Sequence, residues 1–355
     1  MFEIFKKISG AAATVGVMLL AFFAVYIEPL SAADNASHEF KRVEALANET
    51  AQMLAEKVRF FEGVIIHYKG EKTIEFYDNG MNPEKLHPIF SITKGVTSCA
   101  IGFAIQEGLF SLDSKVVDLL AKYISEKPGP KLSKLTVRDL LMQRSGYGGT
   151  QEYFLPCSIE FIFSEEPEFT PGEHFFYGIF SGYMLSKIIS ETTGMTIDKY
   201  IENRLFEPLN IKQYFWASYN DAHEGYSGLY MTLPDMAKLG EFYRNSGIID
   251  GKQLLNKAWF DEATKSHTPE ELDFTDNWKS GYGYLFWRNR FGGFRNDGAR
   301  GQLLIIMPDD EISIAIFCTT NNFSPAIDII EAFIYAVRNG DTKLDLSIQN
   351  NRKVQ

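Results

Sequence analysis

Residues Ser91-Ile92-Thr93-Lys94-Gly95-Val96-Thr97-Ser98-Cys99-Ala100-Ile101-Gly102-Phe103-Ala104 open with a hydroxyl and an amine three positions apart and run into a strongly apolar segment. Ile92, Val96, Cys99, Ala100, Phe103 and Ala104 recur at helical spacing, which predicts a helix with Ser91 at its N-terminal edge. Residues three apart share a helix face, so the Lys94 amine falls on the side of the Ser91 hydroxyl. A helix N-terminus offers unpaired backbone N–H groups and the positive end of the dipole, and both can hold an oxyanion formed when Ser91 attacks a carbonyl. A lysine buried beside the hydroxyl has its pKa lowered and can act as a base or keep another base ionised. Ser-x-x-Lys alone also describes an ordinary N-cap serine, so its meaning depends on the rest of the chain.

N-terminal to this segment, Gly63 to Tyr68 and Thr73 to Tyr77 are β-rich runs around the polar turn 69–72, a hairpin signature. On its C-terminal side the pattern stays helical and loop-rich to about Asp261, broken at Pro128-Gly129-Pro130, Pro167 and Pro171-Gly172. β-type runs return at Tyr282–Trp287, Gln302–Met307 and Ile312–Thr319, followed by a helix from about Ser324 to Val337. Strands at both ends enclosing a helical middle predict an α+β fold. One antiparallel sheet is built from both chain ends and flanked by helices, and a mostly helical second lobe leaves a cleft for a site.

The 355 residues carry 46 acidic and 35 basic side chains, a net charge of −11, with no Lys/Arg block, which argues against nucleic acid as a partner. Cys99, Cys157 and Cys318 are too few and too scattered for a disulfide framework or a zinc site and read as core residues. Residues 8–27 carry no charge, follow Lys6 and Lys7, and precede Ser31-Ala32-Ala33. That order describes an export signal cleaved near Ala33; the apolar run is also long enough for an uncleaved membrane anchor. Either way the rest is expected outside the cytoplasm, periplasmic, secreted or anchored facing outward. The leader's charges cancel, so the remaining chain keeps the whole −11. The expected organisation is a leader at 1–33, an amphipathic helix at 34–58, a main domain at 59–340 and a polar tail at 341–355.

Several segments accompany the Ser91 motif in order: Leu135-Thr-Val-Arg-Asp-Leu-Leu-Met-Gln-Arg-Ser-Gly146, Phe169-Thr-Pro-Gly-Glu-His-Phe-Phe-Tyr177, Gly182 to Gly194, Phe206-Glu-Pro-Leu-Asn210, Gly228 to Ala237, Asp250 to Leu255, Tyr282 to Trp287, and Gly298-Ala-Arg-Gly-Gln302. Over about residues 60–335 the chain resembles the serine β-lactamase-like hydrolases, which include class C β-lactamases, DD-peptidases, esterases and 6-aminohexanoate-dimer hydrolases. The resemblance implies a β-lactamase/transpeptidase-like fold and an acyl-enzyme mechanism with no cofactor and no metal. Ser91 then matches the nucleophile, Lys94 its partner, and Tyr177 the tyrosine of the family's Tyr-x-Asn element, a general base toward Ser91 and acid toward the leaving group. A tyrosine between a lysine cation and the nucleophile is expected to lose its proton more easily than a free phenol. Tyr153 and Tyr183 are alternatives that lack the Pro-Gly lead-in.

Two departures bear on substrate. Tyr177-Gly178-Ile179 lacks the family's asparagine, and Asp297-Gly298-Ala299-Arg300-Gly301-Gln302 stands where lactamases and peptidases have Lys/His-Thr-Gly. The latter looks most like the esterase and 6-aminohexanoate-dimer hydrolase branch, which implies an oxyanion hole from the N–H groups of Ser91 and Ala299 beside Gly298. Arg300 is either a substrate-carboxylate ligand or a solvated arginine; Trp287, Tyr282 and Tyr226 either line the acyl pocket or pack the core. No Gly-x-Ser-x-Gly elbow, His-Glu-x-x-His or phosphate loop is present. The expectation is an exported serine hydrolase of small neutral or cationic esters or amides. A β-lactamase or DD-peptidase, and a non-catalytic penicillin-binding or sensing module, are the competing readings.

Overall fold

The computed structural model describes residues 32–124, 126–148, 159–219, 222–268 and 277–349. The leader's apolar run at 8–27, Tyr153, Cys157 and the tail's last residues, 350–355, lie outside the described residues. By compactness the chain divides between residues 43 and 44, and residues 44–355 form one unit. In chain order the elements that matter are helix α1 (Ala32–Lys57), strands β1 (Phe61–Tyr68) and β2 (Glu71–Tyr77), and helices α2 (Thr93–Gln106), α3 (Val137–Leu141), α4 (Phe180–Thr193), α5 (Ile197–Ile201) and α6 (Leu233–Arg244). Strands β3 (Trp287–Arg288), β4 (Phe294–Gly298), β5 (Gln302–Met307) and β6 (Ile312–Cys318) and helix α7 (Ser324–Asn339) complete the set.

The sheet runs β3-β4-β5-β6-β1-β2, antiparallel throughout, so its centre joins the two ends of the domain, with Ile65 opposite Ala315 and Ile66 opposite Ile314. That is the α+β arrangement expected from the distribution of β-rich runs. The hairpin closes through Lys69 and Gly70, both at positive φ (54° and 83°), the backbone a two-residue turn needs to follow the strands' twist. The strands β5 and β6 are buried at every position, so each reads as a continuous apolar run rather than an alternating one. Helix α6 covers one face, started by Thr232, whose hydroxyl accepts the Asp235 N–H at 3.2 Å. Gly240 lets α6 lie close to the sheet, since a Cβ there would stand 3.1 Å from a Leu304 methyl.

Two sequence expectations change here. Tyr282–Trp287 has β-type composition but only Trp287 enters a strand; Leu285 takes a φ of 68°, and the N–H groups of Tyr284 and Leu285 bond Ala263 O and Leu141 O rather than a neighbouring strand. Phe294–Gly298, not among the expected β-type runs, is strand β4. Its polar residues are buried with bonds to distant groups: Asn296 Nδ2 donates to Leu285 O at 2.8 Å, and Arg295 Nη2 to Asn277 O at 2.7 Å.

The helices form the remaining layer. Helix α2 is buried from Thr93 to Ala104, all round rather than along one face, and packs on α4 and α5, while α3 packs on α4. At about 1.5–3 kcal/mol for each large apolar side chain removed from water, Val96, Ile101, Ile188 and Ile189 alone anchor this region strongly. The polar residues on α2 are bonded outward: Thr97 Oγ1 donates to Gly225 O at 2.7 Å, and Thr93 Oγ1 accepts the Leu229 N–H at 3.2 Å. These bonds fix the 225–229 segment over the start of α2, where the site lies.

Candidate active site

Ser91 sits in a short 3-10 turn, Phe90–Ile92, immediately before α2. Phe90 has a φ of 48°, so the chain bends sharply as it delivers Ser91. Ser91 is no N-cap, because Ile92 holds that position and no side chain caps the helix. Its hydroxyl is therefore available for other work. Lys94, one turn on and 2% exposed, donates from Nζ to Ser91 Oγ at 3.2 Å and to Tyr226 O at 3.1 Å, and its Nζ lies 4.7 Å from the centroid of the Tyr177 ring. The backbone N–H groups of Ser91 and Ala299 take no acceptor among the described residues.

Tyr177, Ser91, Trp278, Trp287, Asp297, Gly298, Ala299 and Phe323 line a cavity of about 360 Å³. The end of β4 reaches the Ser91 turn because residue 298 is glycine: a Cβ there would fall 2.4 Å from Ile89 O. Tyr177 is held from both sides by Gln143, a 1%-exposed residue with a φ of 57°. The Gln143 carbonyl accepts the Phe176 N–H at 2.8 Å, and its side-chain Oε1 accepts the Gly178 N–H at 3.0 Å. No local sequence signal marks Gln143, Trp278 or Phe323 as neighbours of Ser91, whereas Asp297 belongs to the Asp297–Gln302 segment already singled out.

Electrostatics correct one expectation. Burial and then the charge of Asp297 raise the pKa of the Tyr177 phenol well above its ordinary value, while the Ser91 hydroxyl and the Arg295 guanidinium act in the opposite direction and do not prevail. The direction is opposite to the easier proton loss expected from the sequence. Its edge meets Tyr282 and Trp287, with centroids 5.8 and 5.1 Å away.

The remaining expected site residues divide. Trp287 lines the cavity directly. Tyr282, 1% exposed, packs behind Trp287 and Tyr177, and Tyr226 contributes its backbone carbonyl to Lys94. Arg300 takes a φ of 63°, sets its guanidinium 6.0 Å from the centroid of the Phe90 ring, and lines a separate cleft with Lys57 and Arg59. Tyr183 is a buried member of α4.

Residues 50–336 match the beta-lactamase family model. The chain belongs to the beta-lactamase family. This beta-lactamase family chain is 25% identical over 207 residues to an uncharacterized protein of Alkalihalophilus pseudofirmus, covering 52% of the chain and 56% of that protein, so it spans little more than half of that relative. A penicillin-binding protein homolog from Caulobacter crescentus superposes with a TM-score of 0.67 at 18% identity, covering 83% and 97% of the two chains. A D-stereospecific amidohydrolase from a Streptomyces species gives 0.61 at 18% identity, covering 80% and 97%. These structural likenesses establish the β-lactamase/transpeptidase-like fold, on which serine hydrolases with esterase and amidohydrolase activities are built. Within this beta-lactamase family chain, Ile179 stands after the tyrosine and Asp297 before Gly298, where the sequence departs from the lactamase and peptidase pattern.

Proposed function

We propose that the protein is an exported serine hydrolase that cleaves small esters or amides through an acyl-enzyme on Ser91. The observation that carries this is Lys94 Nζ 3.2 Å from Ser91 Oγ at the rim of a cavity that also presents the Tyr177 phenol. The Ser91 Oγ–acyl carbon bond forms as the hydroxyl proton passes to Lys94 acting as an uncharged amine, and Tyr177 hands a proton on to the leaving group as Lys94 replaces it. The carbonyl oxygen becomes an oxyanion between the Ser91 and Ala299 N–H groups, and the leaving oxygen or nitrogen departs with the proton. Water then attacks the acyl carbon by the same route in reverse. The raised Tyr177 phenol is consistent with a proton donor to the leaving group, and Lys94 Nζ, 3.2 Å from Ser91 Oγ, with the acceptor from the nucleophile. Export rests on the basic, apolar and small-residue order of residues 6–33.

Among the described residues the cavity lining holds no lysine or arginine to pair with a β-lactam or peptide carboxylate, which favours plain esters and amides over those substrates. Intact mass after exposure to a fluorophosphonate and to penicillin, with turnover of nitrophenyl acylates and a cephalosporin, tests the reading. A fluorophosphonate adduct lost in Ser91→Ala, with ester rates above cephalosporin rates, is expected. Cephalosporin turnover well above ester turnover indicates a β-lactamase or DD-peptidase, a stable penicillin adduct without turnover a sensor, and no adduct with either a non-catalytic scaffold.

A further inference from the structure

The cavity beside Ser91 contains a carboxylate with one open oxygen. Asp297 lies on β4 two residues before Ala299, and its Oδ2 accepts from Trp278 Nε1 at 3.0 Å and from Arg295 Nε at 3.1 Å. Its Oδ1 takes no hydrogen bond from the described residues, although Asp297 lines the cavity. Arg295, 1% exposed, spends its other donors on Arg288 O (3.1 Å), Asn289 Oδ1 (3.2 Å) and Asn277 O (2.7 Å) and is absent from the lining. A ligand in the cavity therefore meets the carboxylate and not the cation behind it. The same cavity is lined by the rings of Trp278, Trp287, Tyr177 and Phe323.

Ring faces attract cations, a carboxylate in a water-poor pocket attracts them more strongly than in bulk water, and the pairing of both is a poor host for an anion. We propose that this cavity binds a substrate group bearing a positive charge, a primary or quaternary ammonium, between Asp297 Oδ1 and the rings of Trp278 and Trp287. The esters or amides this enzyme prefers are then cationic ones; this specificity rests on the reading of Ser91 as nucleophile, although the binding of the cation does not. A cation there also offsets the Asp297 charge that opposes proton loss from Tyr177, so the substrate that fits eases the proton transfer. The chain's net charge of −11 draws such substrates in at long range.

The test compares choline with its neutral isostere 3,3-dimethylbutan-1-ol, by tryptophan fluorescence of the full chain. It also compares nitrophenyl 4-(trimethylammonio)butyrate with nitrophenyl 5,5-dimethylhexanoate by kcat/KM. The expected result is at least tenfold tighter binding of choline and a tenfold or greater preference for the cationic ester, both falling below threefold in Asp297→Asn. Should Asp297→Asn fail to fold because Arg295 loses its counter-charge, Trp278→Leu is expected to lower both preferences several-fold. Equal binding of choline and the alcohol overturns the proposal, as does a preference that survives both variants. Selective choline binding with no Ser91-dependent hydrolysis leaves the cation site standing and removes the hydrolase reading. Ser91-dependent hydrolysis without charge preference does the reverse.

Discussion

Gln143 brackets Tyr177: its backbone carbonyl accepts the N–H of the residue before the tyrosine and its side-chain carbonyl the N–H of the residue after. The ring's position thus depends on a buried amide 34 positions upstream. Replacing Gln143 by Ala removes the acceptor for Gly178 and leaves a partly buried N–H unpaired, at a cost of about 1 kcal/mol. We expect a lower denaturation midpoint by that amount, and a fall in kcat of about tenfold or more with KM little changed. A KM effect alone would show that Gln143 does not set the Tyr177 position for the chemical step.

Gly298→Ala forces a Cβ toward Ile89 O and must push the end of β4 away from the Ser91 turn. A displacement of about 1 Å between reacting groups is worth about 10²-fold in rate. The expected signature is a loss of about that size in kcat for nitrophenyl acetate, with Ser91 still titratable by a fluorophosphonate more slowly than in the wild type. Unchanged kcat would place the oxyanion donor elsewhere than Ala299.

The loop that carries Tyr226 O to Lys94 is held at its base by His223 and Asp198, whose Nε2 and Oδ1 are 2.9 Å apart. The hydrogen bond to Asp198 raises the His223 pKa, against burial; Asp198 is lowered by His223 despite burial, which alone would raise it. Stability from the raised histidine is full below about pH 6.5, its unfolded value, and fades as pH rises through the folded value. Stability from the lowered aspartate is full above about pH 4 and fades as pH falls further. The Tm difference between wild type and Asp198→Asn should therefore be largest between about pH 4 and 6.5 and shrink toward pH 9. A difference that grows above pH 8 would contradict the pairing.

Cys99 and Cys318 are both fully buried, and burial raises both thiols, that of Cys318 up to about 12. Thiolate is the reactive form, so neither should be alkylated by iodoacetamide at pH 8 in the folded protein, and both should be after unfolding. Peptide mass mapping of the labelled sites checks this, and labelling of native Cys99 at the rate of a free thiol would mean that the floor beneath Ser91 opens.

Much of the sheet was legible because its period is local. The hairpin, β5, β6 and α7 follow from β-branched runs, a Lys-Gly turn and helical spacing, and the arrangement of β-rich ends around a helical middle already implied an antiparallel sheet closing the domain. The Ser91–Lys94 proximity was legible for the same reason, since one helical turn fixes it. Strand β4 was not, because Arg295, Asn296 and Asp297 look like loop residues until partners at 277–289 bury them. Tyr282–Trp287 was misread because aromatic content favours strands, while the bend at Leu285 is set by the carbonyls of Ala263 and Leu141.

The sequence by itself determined the family, the antiparallel α+β plan, and the pairing of hydroxyl and amine across one helical turn. Only the tertiary structure decided that Gln143 clamps the tyrosine, that Arg300 lines a separate cleft, that burial and Asp297 raise the Tyr177 phenol, and that Asp297 shares a cavity with Trp278 and Trp287. The physical reason is distance along the chain. Short-range periodicity writes a helix or a strand into the residues that form it, whereas a buried charge takes its partners, its pKa and its exposure from segments far away in sequence.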